Sequence, residues 1–145
     1  MKLRRTTILA GIEHALREKI LPLIGDDFAR NEVHLAASLI GVERAERDGL
    51  VALMVQEHER LRALFGDAAE TVNDEALGER IRSAALPGKQ DLRISALEEV
   101  TRELRELLVD LHRHIETRED DAARELDRAI WRAIRDTENA RNPGN

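Results

Sequence analysis

Apolar residues recur along this chain at spacings of three and four, which sets them on one side of an α-helix. The clearest run lies between Lys89 and Asn142, a stretch with no Gly and no Pro. There Leu97, Leu104, Leu107, Leu108, Leu111, Ile115, Leu126, Ile130 and Ile134 form a stripe, and Arg, Glu and Asp fill most other positions. Glu-to-Arg pairs four apart, such as Glu98–Arg102, support the same helix. The stripe weakens at Glu119-Asp120-Asp121. Two readings are open: a single helix, or two helices joined near Thr117–Asp121.

Shorter segments precede it. Thr6 or Thr7 can cap a first helix with Leu9, Ile12, Leu16, Ile20 and Leu23 on one face, which Pro22 ends or kinks. Gly25-Asp26-Asp27 reads as a turn into a second helix, from about Asp27 to Arg47. That helix is apolar on more than one side (Val33, Leu35, Ala36, Leu39, Ile40, Val42), which predicts a central position. Ala37, Gly41 and Ala45, four apart, predict a close helix neighbour. Asp48-Gly49 predicts a break, and a third helix carrying Leu53, Met54, His58, Leu61 and Phe65 is expected to stop at Gly66. Asn73 or Asp74 caps a short fourth helix, which Pro87-Gly88 ends. The expected architecture is an all-α antiparallel bundle of five or six helices with a long C-terminal helix, one domain over residues 1–145.

Composition narrows the functions. With 36% charged residues, one Trp, two Phe and no Tyr, the chain has the make-up of an all-helical protein. A net charge of −6 argues against nucleic acid, and the cluster Lys2, Arg4 and Arg5 is too small to reverse this. Having no cysteine removes disulfides, thiolate nucleophiles and iron–sulfur ligation. No apolar run is long enough for a membrane span and no leader-type segment opens the chain, so the expectation is a soluble cytoplasmic protein with no membrane association.

Five histidines and many carboxylates raise a metal site inside the bundle. His58 in Glu-His-Glu-Arg-Leu and His114 in Leu-His-Arg-His-Ile resemble pieces of hemerythrin-like domains, whose iron- or oxygen-binding bundles use His-plus-carboxylate pairs. The candidates are His34, His58, His114 and Glu119, fewer than the five to seven ligands a diiron centre takes. Arg62 stands four after His58 and Ser38 four after His34, where a ligand would be needed. No phosphate loop, nucleophile elbow or triad is visible, and the acidic runs read as helix-start charges. The expectation is therefore no cofactor and no catalysis, with hemerythrin-like metal binding as the alternative.

A second resemblance covers about two thirds of the chain. Ile8-Leu9 through Leu16-Arg17-Glu18-Lys19-Ile20-Leu21-Pro22 is similar to the opening helix of a family of small helical proteins. His34-Leu35-Ala36-Ala37-Ser38 through Val42-Glu43-Arg44, Arg60 to Gly66, and Val72-Asn73 through Arg80 to Ser83 continue the likeness. Members are encoded beside, or fused to, acyl-CoA dehydrogenases and aminoglycoside-phosphotransferase-like kinases. The resemblance implies an accessory, partner-binding part in acyl-CoA metabolism and carries over no catalytic residue. His34 and Ser38 depart from the family's Arg and Asn. The chain also runs past the family's usual end, which makes residues 104–145 an extension. On that extension Leu126, Ile130, Trp131 and Ile134 are the candidate interface, with a second copy of the chain or another protein as partner.

Overall fold

The computed structural model describes residues 5–144, and Lys2 and Arg4 of the basic cluster lie outside them. The fold is all-α. Its helices are α1 (Arg5–His14), α2 (Asp27–Ala68), α3 (Glu75–Ala85), α4 (Ile94–Glu116) and α5 (Asp121–Arg141). No strand occurs among the described residues. The chain divides into two compact units, Met1–Leu50 and Val51–Asn145, with the boundary inside α2.

The first unit is a two-armed hairpin. Among the described residues α1 covers Arg5–His14, so Thr6 and Thr7 both lie inside it and neither stands at a cap position. It passes into a π-helical turn (Ala15–Ile20) and a single 3-10 turn at Leu21–Leu23, where Pro22 occupies the first positions and ends the arm. Asp26 caps α2, its carboxylate accepting from the Ala29 amide at 2.7 Å. The arms run antiparallel: Arg17 donates to Ser38, and Glu13 accepts from Arg44 at 3.0 Å. Arg30 reaches back to the Leu21 and Ile24 carbonyls, closing the end of the first arm. Ala37 is fully buried, and a Cβ added at Gly41 would stand 3.0 Å from Glu13 Oε1. Ala45, the third member of the small-residue strip, is exposed. The central position expected for this half of α2 is not observed, because Leu35, Leu39 and Val42 are exposed.

Two expected helix ends are also absent. α2 continues through Asp48-Gly49 and past Gly66 as one helix of 42 residues. A lone glycine costs a helix only about 1 kcal/mol, too little to stop one whose apolar face resumes at Leu53 and Met54. Gly66 is exposed, and a Cβ there would make only an ordinary contact, 4.0 Å from that of Ala85 on α3.

The second unit is a four-helix bundle. Arg62 of α2 donates to the carbonyls of Ala84 and Leu86 at the end of α3, while Arg80 of α3 pairs with Asp110 of α4 at 2.8 Å. Glu57 meets Arg105 of α4 and Arg141 of α5, and His112 of α4 meets Asp127 of α5. These pairs fix an up-down-up-down order for the second half of α2, α3, α4 and α5, as short connections favour. The Lys89–Asn142 run folds back at Thr117–Asp120, where Asp120 caps α5 by accepting from the Ala123 amide at 3.0 Å. Thr117 donates to the His114 carbonyl, and Arg118 ties the turn to the Thr71 carbonyl. Asp74 caps α3 at 2.8 Å from the Leu77 amide. Phe65, Ile81, Leu111 and Ile130 are the largest fully buried side chains, one from each helix.

Candidate functional site

The buried side chains of Glu57, His58 and Thr101 are engaged in contacts that join helices. Glu57 lies on the bundle side of α2 with its carboxylate almost wholly buried. Arg105 grips both oxygens at 2.6 and 3.0 Å, and Arg141 adds a third contact at 2.8 Å. Burial pushes the Glu57 carboxyl up, but the Arg105 hydrogen bond and the charges of Arg105 and Arg141 outweigh it, leaving it below its ordinary 4.5. The triad joins three helices and fixes their register. Sequence pattern gave no sign of it, because Glu57, Arg105 and Arg141 are ordinary helix-surface residues until their helices meet.

His58, the next residue, is also buried. Its Nε2 lies 2.8 Å from the Thr101 hydroxyl, which donates to the Leu97 carbonyl at 2.9 Å. The hydroxyl's single proton is thus used, so it accepts from Nε2–H and His58 is held as the neutral Nε2 tautomer. Burial first, and the Arg62 charge second, lower its pKa below the ordinary 6.5. A ring held in this way is a structural hydrogen-bond donor.

The four metal candidates do not come together as a set. His34 is exposed on α2 in the first unit, and Glu119 is exposed in the α4–α5 turn. His114 is half-buried with its Nε2 enclosed and unpartnered. Among the described residues no group of three or more His, Asp or Glu could hold a metal ion.

The four interface candidates divide. Leu126 and Ile130 point into the core, because the fold-back at Thr117–Asp120 covers the α5 stripe that an unbroken helix would have left bare. Trp131 remains 54% exposed and Ile134 36%, and Val109 on α4 is 50% exposed. Trp131 stands edge-on to His112, ring centroids 5.6 Å apart and planes at 89°. The His112 Nε2 in turn lies 2.9 Å from Asp127. Beside the indole is a recess lined by Glu116, Arg124, Asp127 and Arg128. On the other side Leu108, Val109, Ala133 and Ile134 line an apolar recess of about 210 Å³. The α4–α5 face thus has an apolar centre with a rim of both charges. Val109 was not a candidate; its position two before Leu111 puts it off the core stripe, which is the signal that could have marked it.

No protein-family model matches the chain, and neither a curated protein nor a solved structure matches it.

Proposed function

We propose that this protein is a non-catalytic, partner-binding helical bundle, and that the α4–α5 face around Trp131 carries the contact. The observation behind this reading is a large indole left half in water beside Ile134 and Val109, at the rim of a bundle whose own core is filled. Trp is the residue most enriched at interface hot spots, and an exposed apolar centre with a polar rim favours protein contact. The interior supports the same reading, since Glu57, Arg105, Arg141 and His58 are all engaged in joining helices. An accessory role in acyl-CoA metabolism is part of this reading, supported by the resemblance to small helical proteins encoded beside acyl-CoA dehydrogenases. No helix among the described residues is long and apolar enough to cross a membrane.

The test is a photo-cross-linking amino acid placed at position 131 of the chain in living cells. Protein adducts at 131 are expected, with few at Glu98, exposed near the start of α4 and about three helical turns before Val109. Irradiation that gives no more adduct at 131 than at 98 ends the reading.

A further inference from the structure

His58 has two ring nitrogens, and the fold uses only one. Nε2 donates to Thr101, which leaves Nδ1 as a lone pair that accepts from no described group. Among the described residues the only enclosed side-chain nitrogen or oxygen without a partner is His114 Nε2, so His58 Nδ1 is open. It opens on a recess of about 210 Å³ that His58 itself lines. Local sequence builds the rest of that recess. Arg62 stands four residues after His58 on α2, one turn along the same face. Pro87-Gly88 ends α3 and carries Lys89 to the wall, and α4 supplies Leu97 and Val100, which with Val55 make the wall apolar.

Charge decides what the recess takes. Arg62 holds the Ala84 and Leu86 carbonyls through Nη1 alone, so Nε and Nη2 keep their protons for another acceptor. Among the described residues neither Arg62 nor Lys89 forms an ion pair, in a chain with 29 acidic residues. Asp91 also lines the recess, but Arg93 neutralises it, the two groups 2.9 Å apart. Glu59 is exposed and unpaired, so two cations face one free carboxylate.

We propose that this recess binds a small hydroxy acid, its carboxylate on the free Arg62 nitrogens and Lys89, its hydroxyl donating to His58 Nδ1, and its aliphatic stem on Val55, Leu97 and Val100. An apolar wall with a few converging polar groups is the usual build of a small-molecule site. The two α2 positions are one turn, about 5.4 Å, apart, which favours a hydroxyl at the far end of the stem from the acid. Inorganic phosphate offers the charge and a hydroxyl but no stem, and leaves the apolar wall wet. The recess shares no residue with those beside Trp131, so the site stands apart from the partner-binding face.

The test is an NMR titration of the full chain at about pH 7 with δ-hydroxyvalerate, read at the His58 ring Cε1–H resonance. A saturable shift is expected. Valerate, which lacks the hydroxyl, should bind at least about threefold more weakly. The uncharged diol of the same length, pentamethylene glycol, and inorganic phosphate should each be weaker by at least about tenfold. No saturable shift up to about 50 mM overturns the proposal, as does a diol, a phosphate or a valerate that binds as well as the hydroxy acid. Two variants place the site. A Cβ built at Gly88 stands 3.7 Å from Arg62 Nη2, and no described glycine has a positive φ, so Gly88→Leu fills the recess beside the cation without backbone strain. It should abolish the shift. Lys89→Gln, at an exposed position, should weaken binding at least about threefold. Circular dichroism confirms that both are folded, and wild-type affinity in either one overturns the assignment.

Discussion

At the scale of single residues, the buried His58 and Glu57 each contribute acid sensitivity to the bundle, in different pH windows. The folded chain holds His58 neutral, with a pKa below 6.5, so the unfolded chain binds more protons between that lowered value and 6.5. Stability therefore rises with pH through this window; its His58 contribution is complete above 6.5 and declines as pH falls below it. Glu57 is likewise lowered, from 4.5, so its contribution is present above 4.5 and is lost as pH falls through its folded value. The variant His58→Gln can keep a donor near Thr101 but cannot titrate. It should cost about 1 kcal/mol at pH 7. Its stability should also change less than that of the wild type between pH 7 and 5. Urea unfolding at several pH values measures both, and parallel wild-type and variant curves would contradict this account of His58.

At the scale of elements, the glycines of α2 show how one residue type serves different ends. Gly49 meets nothing within 4 Å of an added Cβ, Gly66 would meet Ala85 of α3 at an ordinary 4.0 Å, and Gly41 admits the Glu13 carboxylate. A methyl group at Gly41 asks only the far end of Glu13 to shift, and alanine is worth about 1 kcal/mol over glycine in a helix interior. Gly41→Ala is therefore expected to be neutral or slightly stabilising. Gly41→Leu drives a branched side chain into the α1 contact and should destabilise by roughly 1–3 kcal/mol. Chemical denaturation read by circular dichroism separates the two. A leucine as harmless as the alanine would mean that the arms of the hairpin do not pack as closely as described.

At the scale of the molecule, the two units differ in what holds them. The second has a contiguous core drawn from four helices, whereas among the described residues of the first only Ala37 is a buried hydrophobic. Ile8, Ile12, Leu23, Phe28, Leu35 and Leu39 are exposed there. Local stability follows buried apolar contact, so the hairpin should open well below the energy of global unfolding. Amide exchange at pH 7 is expected to be at least 100-fold faster for Leu9–Ala45 than for the amides of Leu104–Ile115. Comparable protection in the two segments would contradict this ranking of local stabilities.

The pattern of the sequence by itself determined the helical class, because a period of three and four with scarce aromatics leaves no strand to form. It also narrowed the α3 cap to Asn73 or Asp74 and marked Pro22 as the place where the first arm ends or kinks. These are local matters, decided by neighbours in the chain. The start of α2 at Asp27 is legible in the sequence, but the expected break at Asp48-Gly49 and stop at Gly66 do not occur, because a glycine ends a helix only where its cost is not offset by what packs beside it. The α4–α5 division was legible only as one of two readings, since the acidic run at Glu119-Asp120-Asp121 is compatible with an exposed helical turn or with a cap. Only tertiary structure decided that Asp120 caps and that Leu126 and Ile130 are interior while Trp131 is not. Only tertiary structure brought Glu57 to Arg105 and Arg141. A helix presents every residue on some side, and which side meets another helix depends on partners far away in sequence. Burial, the shifts at Glu57 and His58, and the exposed indole all follow from that choice.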